Sequence, residues 1–154
     1  MEIKIATLNE VQQIEILYQE LFLGMSILQP KYMQPGKQDV TFIRNSINEN
    51  GSDILIAEKD NQVLGFLLIK ETVTPPYSCL IEHKYAFIID VIVGNQYQSQ
   101  GIGSVLLLEA KKWAKNRNLD YLELNVLSEN IGAITLYEKQ GFKDMSHTMR
   151  FEFE

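Results

Sequence analysis

Residues 86 to 93 read Ala-Phe-Ile-Ile-Asp-Val-Ile-Val, an apolar run interrupted by one charge, Asp90. A strand that keeps one face in water alternates apolar and polar residues. A nearly continuous run belongs instead to a strand covered on both faces. The chain must therefore supply layers to both sides of a sheet. The following residues begin to do so. After the turn Gln98-Ser99-Gln100-Gly101-Ile102-Gly103, a helical period runs from Gly103 to about Arg117. Ile102, Val105, Leu106, Ala110, Trp113 and Ala114 line one side of it. Lys111, Lys112, Lys115 and Arg117 gather on the other side or in the last turn, where cations suit the helix dipole.

The remaining elements follow from periodicity and punctuation. Ile3, Ile5 and Thr7 alternate with Lys4 and predict a first strand. Asn9 is the expected cap of a helix carrying Val11, Ile14, Leu17, Tyr18 and Leu21, ending near Phe22. Gly24, Pro30, Pro35 and Gly36 predict a loop or broken helix over residues 23–37. Asp39 opens a second helix through Phe42, Ile43 and Ile47, closed by Asn50-Gly51. Residues 53–58 and 62–72 read as strands joined by an Asp60-Asn61 hairpin turn. Thr74-Pro75-Pro76-Tyr77 breaks that pattern. Residues 121–126 alternate as another strand, Ser128 is the expected cap of a last helix through Tyr137, and Gly141 ends it. Residues 147–153 alternate again as a final strand. The order β-α-α-β-β-β-α-β-α-β predicts an α/β chain: one domain over 1–154, with a mixed sheet between two helical layers.

The turn at 98–103 carries no acidic or basic side chain. A helix start nevertheless offers unpaired backbone amides and the positive end of a dipole. Gly101 and Gly103 have no Cβ to obstruct an approaching group, and Ser104 adds a hydroxyl. Such a turn binds an anion through backbone groups alone. The phosphate loop with its lysine is absent, and position 106, where a dinucleotide fingerprint needs glycine, is leucine. A plain glycine turn between strand and helix is the competing explanation.

A second block removes that ambiguity. Gln98-Ser99-Gln100-Gly101-Ile102-Gly103, after a strand and before a helix, together with Asn130 through Phe142 (NIGAITLYEKQGF), resembles the GCN5-related N-acetyltransferase (GNAT) superfamily. The likeness is strongest over about 86–142, and residues 54–58 and 63–69 resemble the family's central hairpin. The resemblance implies a mixed sheet flanked by about four helices, with the fourth and fifth strands splayed. It implies that Gln98, Ser99, Gln100, Gly101, Ile102, Gly103 and Ser104 cradle the pyrophosphate of acetyl-CoA. It further implies that the pantetheine arm pairs with backbone at Val91, Ile92 and Val93, where an amide polarises the thioester carbonyl as an oxyanion hole does. Ser99, Gln100 and Asn95 depart from the glycine, basic residue and proline common at those places. These departures remove charge but no amide.

The same resemblance assigns Asn130 and Ala133 to the pantetheine and Tyr137 to the thioester sulfur. A phenol there stabilises the leaving thiolate and supplies its proton. Tyr137 also fits a core position, and Asn130 a helix start. An ionised Asp90 in a covered strand is costly unless paired. The choices are an ion pair with Lys84, Lys70 or Arg44, an exposed place at the cleft, or an anchor or water-mediated base for the substrate amine. Where the histone-type branch has a catalytic glutamate this chain has Phe87. His83, His147 and Cys79 lack any activating motif.

The implied activity is acetyl transfer to the amine of a small molecule or polypeptide, without a metal. A non-catalytic acyl-CoA sensor on the same fold is the alternative, and a nucleotide binder a third. The net charge of −6 argues against nucleic acid and favours a cationic amine. No stretch approaches a membrane span, the N-terminus does not read as a secretory signal, and a single cysteine suits the reducing cytoplasm. The resemblance also admits a homodimer.

Overall fold

The computed structural model describes all 154 residues. Strand β1 (Glu2–Ile5) leads through a 3₁₀ turn into α1 (Val11–Leu28), followed by α2 (Val40–Asn48). The meander β2 (Ser52–Lys59), β3 (Gln62–Val73) and β4 (Lys84–Val93) follows. Then come α3 (Ile102–Asn116), β5 (Leu122–Leu124) and α4 (Ile131–Lys139). The five strands form one sheet in the order β1-β2-β3-β4-β5, antiparallel as far as β4. β5 joins parallel to β4, as expected where a helix makes the crossover. The class is the expected mixed α/β.

Period-two alternation along the central strands feeds two cores. Leu67 and Ile69 of β3 pack with α3 through Leu106, Leu107, Ala110 and Trp113. Phe66 and Leu68 face the other way, onto Ile14, Leu17 and Tyr18 of α1 and Ile43 of α2. Each face of the sheet is thus closed by a helical layer.

Several local expectations are corrected. Thr7, not Asn9, caps the first helical segment: Asn9 N–H donates to Thr7 Oγ1 at 3.3 Å and Thr7 N–H to Glu10 Oε2 at 2.7 Å, a reciprocal box. α1 continues through Gly24 to Leu28, because one helical glycine costs only about 1 kcal/mol. It stops at Gln29, whose successor Pro30 disfavours helical backbone. Asn130 rather than Ser128 caps α4, and Gly141 does follow it in the left-handed region at φ +94°. β5 is shorter than the alternation over 121–126 suggests. Residues 147–153 form no strand: they lie exposed and make no backbone hydrogen bond.

Candidate active site

β4 is not paired along both edges over its whole length. Its pairs with β5 end at Ile88↔Leu124, while the strand runs on to Val93. Residues 90–93 therefore pair with β3 on one side only, the splay anticipated above. On the β3 side the register jumps from Leu68↔Asp90 to Ile69↔Ile88, which leaves Ile89 as a bulged, exposed residue. The bulge reverses the alternation. Ala86 and Ile88 point into the α3 core, and beyond the bulge Val91 and Val93 pack there too. Ile92 packs instead against the α1 core, and Asp90 shares that phase.

The consequence is the contact that most defines the cleft. The Tyr18 hydroxyl of α1 donates to Asp90 Oδ2 at 2.6 Å. Tyr18 is fully buried, its ring packed 4.9 Å from Phe66 and 5.5 Å from Phe22. Asp90 takes part in no ion pair, and Lys70, one proposed partner, sits near Glu49 at 3.7 Å instead. The salt-bridge alternative is therefore excluded. Burial pushes the Asp90 carboxyl above the usual range, and the Tyr18 hydrogen bond pulls it part of the way back. Burial and the neighbouring Asp90 charge hold the Tyr18 phenol far above its ordinary value. Sequence reasoning treated Tyr18 only as a core position. The signal lay in a buried hydroxyl that needs a partner and a lone carboxylate that needs a donor.

Tyr137 approaches from the opposite layer. It packs against the α3-side core, its ring 5.8 Å from Phe142. Burial, then the negative charge of Asp90, raises its phenol above the ordinary value. It is thus held protonated at neutral pH, the form a proton donor needs. Asn130 caps α4, its Oδ1 accepting from Ala133 N–H at 3.2 Å. That fixes the start of the helix carrying Tyr137 and leaves the Asn130 amide group as a donor.

Beyond the end of β4, Gly101 at φ +82° turns the chain into α3, with Ser99 also left-handed at +63°. The backbone N–H groups of residues 98–104 donate to no group in the protein. They sit at the positive end of a 15-residue helix. The two glycines differ. A Cβ on Gly101 would meet nothing within 4 Å, so this residue is required by its backbone angle. A Cβ on Gly103 would stand 2.9 Å from Leu136 Cδ2, so Gly103 lets α4 pack close to α3. Gln98 braces the loop, its Nε2 reaching Val93 O at 3.3 Å. Gln100 is exposed, Ser104 half-buried, and Ile102 is anchored in the core with only its backbone free. His83 is tied to Asp120 at 2.7 Å, and His147 and Cys79 are exposed. No three His, Cys, Asp or Glu side chains converge as a metal site.

A helix-start cradle beside a splayed strand has relatives. The profile described as Acetyltransferase (GNAT) family matches residues 14–142. The chain belongs to the GNAT family. It is 29% identical over 77 residues to the uncharacterized N-acetyltransferase YobR of Bacillus subtilis, covering 50% of this chain and 31% of that one. The first curated relatives are thus matched over half of their length or less. Among solved structures, the F44R mutant of the BH1408 protein from Bacillus halodurans superposes with TM-score 0.95 at 18% identity over 100% of both chains. Aminoglycoside N-acetyltransferase AAC(6')-Iy in complex with CoA superposes with TM-score 0.76 at 12% identity over 99% of each. Members of the GNAT family use acetyl-CoA as acetyl donor. No helix of this chain is long and apolar enough to cross a membrane.

Proposed function

We propose that this chain transfers an acetyl group from acetyl-CoA to a primary amine by direct attack. The observation that carries the reading is the row of unpaired N–H groups at 98–104, beside the one-sided stretch of β4 at 90–93. That pairing of features fits a ligand with a pyrophosphate at one end and an extended amide-bearing arm. Gln98 to Ser104 hold the pyrophosphate through backbone groups. The edge at Val91, Ile92 and Val93 pairs with the arm, and an amide there faces the carbonyl oxygen as negative charge develops. Asn130 and Ala133 hold the arm from the α4 side. Asp90, hydrogen-bonded to Tyr18, receives the amine, as anchor of its ammonium or through a water as its base. As nitrogen adds to the carbonyl and the carbon–sulfur bond breaks, Tyr137 gives its proton to the departing thiolate. The proton lost by the amine leaves by way of Asp90 or solvent.

The net charge of −6 and the likeness to an aminoglycoside acetyltransferase support a cationic acceptor, such as an aminoglycoside or polyamine. The test is thiol release from acetyl-CoA across polyamines, aminoglycosides, amino acids and peptide amines, with calorimetry of coenzyme A, ATP and NAD beside it. Turnover with one amine class and selective coenzyme A binding are expected. Coenzyme A binding without turnover on any amine would make the chain an acyl-CoA sensor. ATP or NAD binding in place of coenzyme A would end the reading altogether.

A further inference from the structure

The α1–α2 layer does not reach across the whole of its sheet face. Its core takes Ile54 and Ile56 of β2, Phe66 and Leu68 of β3, and Ile92 near the end of β4. Nothing of β5 or of the first half of β4 belongs to it. Yet the residues there that point the same way are mostly aromatic. Ala86, Ile88, Leu122 and Leu124 pack on the α3 side, so Tyr85 and Phe87 of β4 and Glu123 of β5 face the other way. Tyr121, just ahead of β5 and in the phase of Glu123, stacks on Tyr85 with ring centroids 4.7 Å apart and planes at 17°. The three rings are half-buried and join neither core.

This uncovered strip leads away from Asp90, and the strand register fixes its scale. Asp90 stands opposite Leu68, and Phe87 opposite Lys70, two residues further along β3. On its other side Phe87 pairs with Glu123. Strand rise and strand spacing then put the Glu123 backbone roughly 8 Å from that of Asp90, on the same face. Glu123 takes part in no ion pair. Lys70, in the same row, approaches Glu49 at 3.7 Å instead. Lys111, at the outer edge of β5, donates to the Gln140 carbonyl, and Lys143 beside it makes no ion pair. The strip thus has a carboxylate at each end and an aromatic ring between them, and the face of such a ring attracts a cation.

We propose that the strip is a subsite for a second cation of the acceptor: Glu123, with the rings of Phe87 and Tyr121, receives a protonated amine while Asp90 receives the amine to be acetylated. The acceptor is then a small flexible diamine or polyamine, whose methylene chain lies over Phe87. This inference rests on the acetyl-transfer reading and names its substrate class. The strip suits such a molecule in charge, in its apolar floor and in length. An ion pair on a half-buried carboxylate and a cation–π contact together supply roughly tenfold in affinity. A monoamine of the same length forfeits both.

The test is the initial rate of thiol release from acetyl-CoA with ethylenediamine, putrescine and diaminohexane. Aminobutanol and aminohexanol are the controls: they keep the length and replace the second cation by a hydroxyl. Putrescine and diaminohexane should exceed their amino alcohols roughly tenfold in kcat/KM, beyond the factor of about two that a second reactive amine gives by statistics. Ethylenediamine, too short to span the strip, should show no such gain. In Glu123→Gln, folded by circular dichroism, the ratio of diamine to amino alcohol should fall to about the statistical factor, and in Phe87→Leu part of the way. A wild-type ratio no greater than the statistical factor would overturn the inference and leave the acetyl-transfer reading standing. So would a diamine preference that survives Glu123→Gln, or turnover confined to another class of amine. No turnover on any amine would overturn both.

Discussion

Tyr18→Phe isolates the contact that sequence reasoning missed. The change removes one oxygen from a fully buried side chain and keeps the ring against Phe66 and Phe22. Asp90 then keeps its burial and loses the only side-chain hydrogen bond it receives. A hydrogen bond to a charged group contributes about 1.5–3 kcal/mol. For a chain of this size that corresponds to a fall of roughly 3–12 °C in Tm. The sign with pH follows from Asp90. Its folded-state pKa is raised, so its contribution to stability is present below the unfolded value of about 3.9 and is lost as pH climbs through the folded one. The Tyr18 bond lowers that folded value, so removing it raises the value further and enlarges the loss on the alkaline side. Urea unfolding should therefore show a larger deficit at pH 8 than at pH 5. If Asp90 must ionise for turnover, the acid limb of the rate profile should also move to higher pH. A deficit below about 0.5 kcal/mol, within the range of an ordinary surface change, or an equal deficit at both pH values, would refute the coupling.

Four other substitutions separate chemistry from architecture. Tyr137→Phe should lower turnover by roughly 10²-fold with little change in the constant for acetyl-CoA, read in single-turnover experiments. Asp90→Asn removes a charge whose burial opposes folding, so urea unfolding at pH 8 should show equal or greater stability than wild type. Amine kinetics should meanwhile show a raised constant for the acceptor. Gly101→Ala forces a side chain into φ +82°, which costs about 1–2 kcal/mol, and calorimetry should show weakened coenzyme A binding through a displaced helix start. Gly103→Ala places its Cβ 2.9 Å from Leu136 Cδ2 and should cost about 1–3 kcal/mol. Thermal unfolding of Gly103→Ala/Leu136→Ala should show non-additivity, because the second change removes the obstructing atoms.

What periodicity carries was legible. The β-rich runs of β2 and β3, the Asp60-Asn61 turn with both residues at positive φ, and the Asp39 cap appear where the residues ask for them. The turn at 98–103 and the helix after it were legible because helix starts follow general rules, whereas the turn as an anion site was read only through the family resemblance. Two kinds of feature were not. Helix ends depend on small differences: Gly24 looked like a stop, yet α1 runs through it to Leu28, since one helical glycine costs only about 1 kcal/mol. Features set by pairing between strands leave no local trace. Nothing in the run Ile88-Ile89-Asp90 marks Ile89 as the extra residue, because both isoleucines suit either phase. The residues at 147–153 show the converse: their alternation is clear, yet they pair with no strand of the sheet.

The bulge also explains why an apolar strand can carry one carboxylate. In unbroken alternation, Asp90 would follow Ala86 and Ile88 into the α3 core, among Leu106, Leu107 and Ala110, which have no side-chain donor to offer. Shifted by one residue, it meets the Tyr18 hydroxyl, set in an aromatic cluster that holds it in place. The same shift returns Val91 and Val93 to the α3 core, which anchors the strand end that leads into the glycine turn. One extra residue thus supplies the carboxylate with a partner and ties down the strand from which β5 has parted. Burial alone would push the Asp90 carboxyl up, and the single phenol donor reached through the bulge pulls it part of the way back, so the shift in strand phase and the balance on the carboxylate have one structural cause.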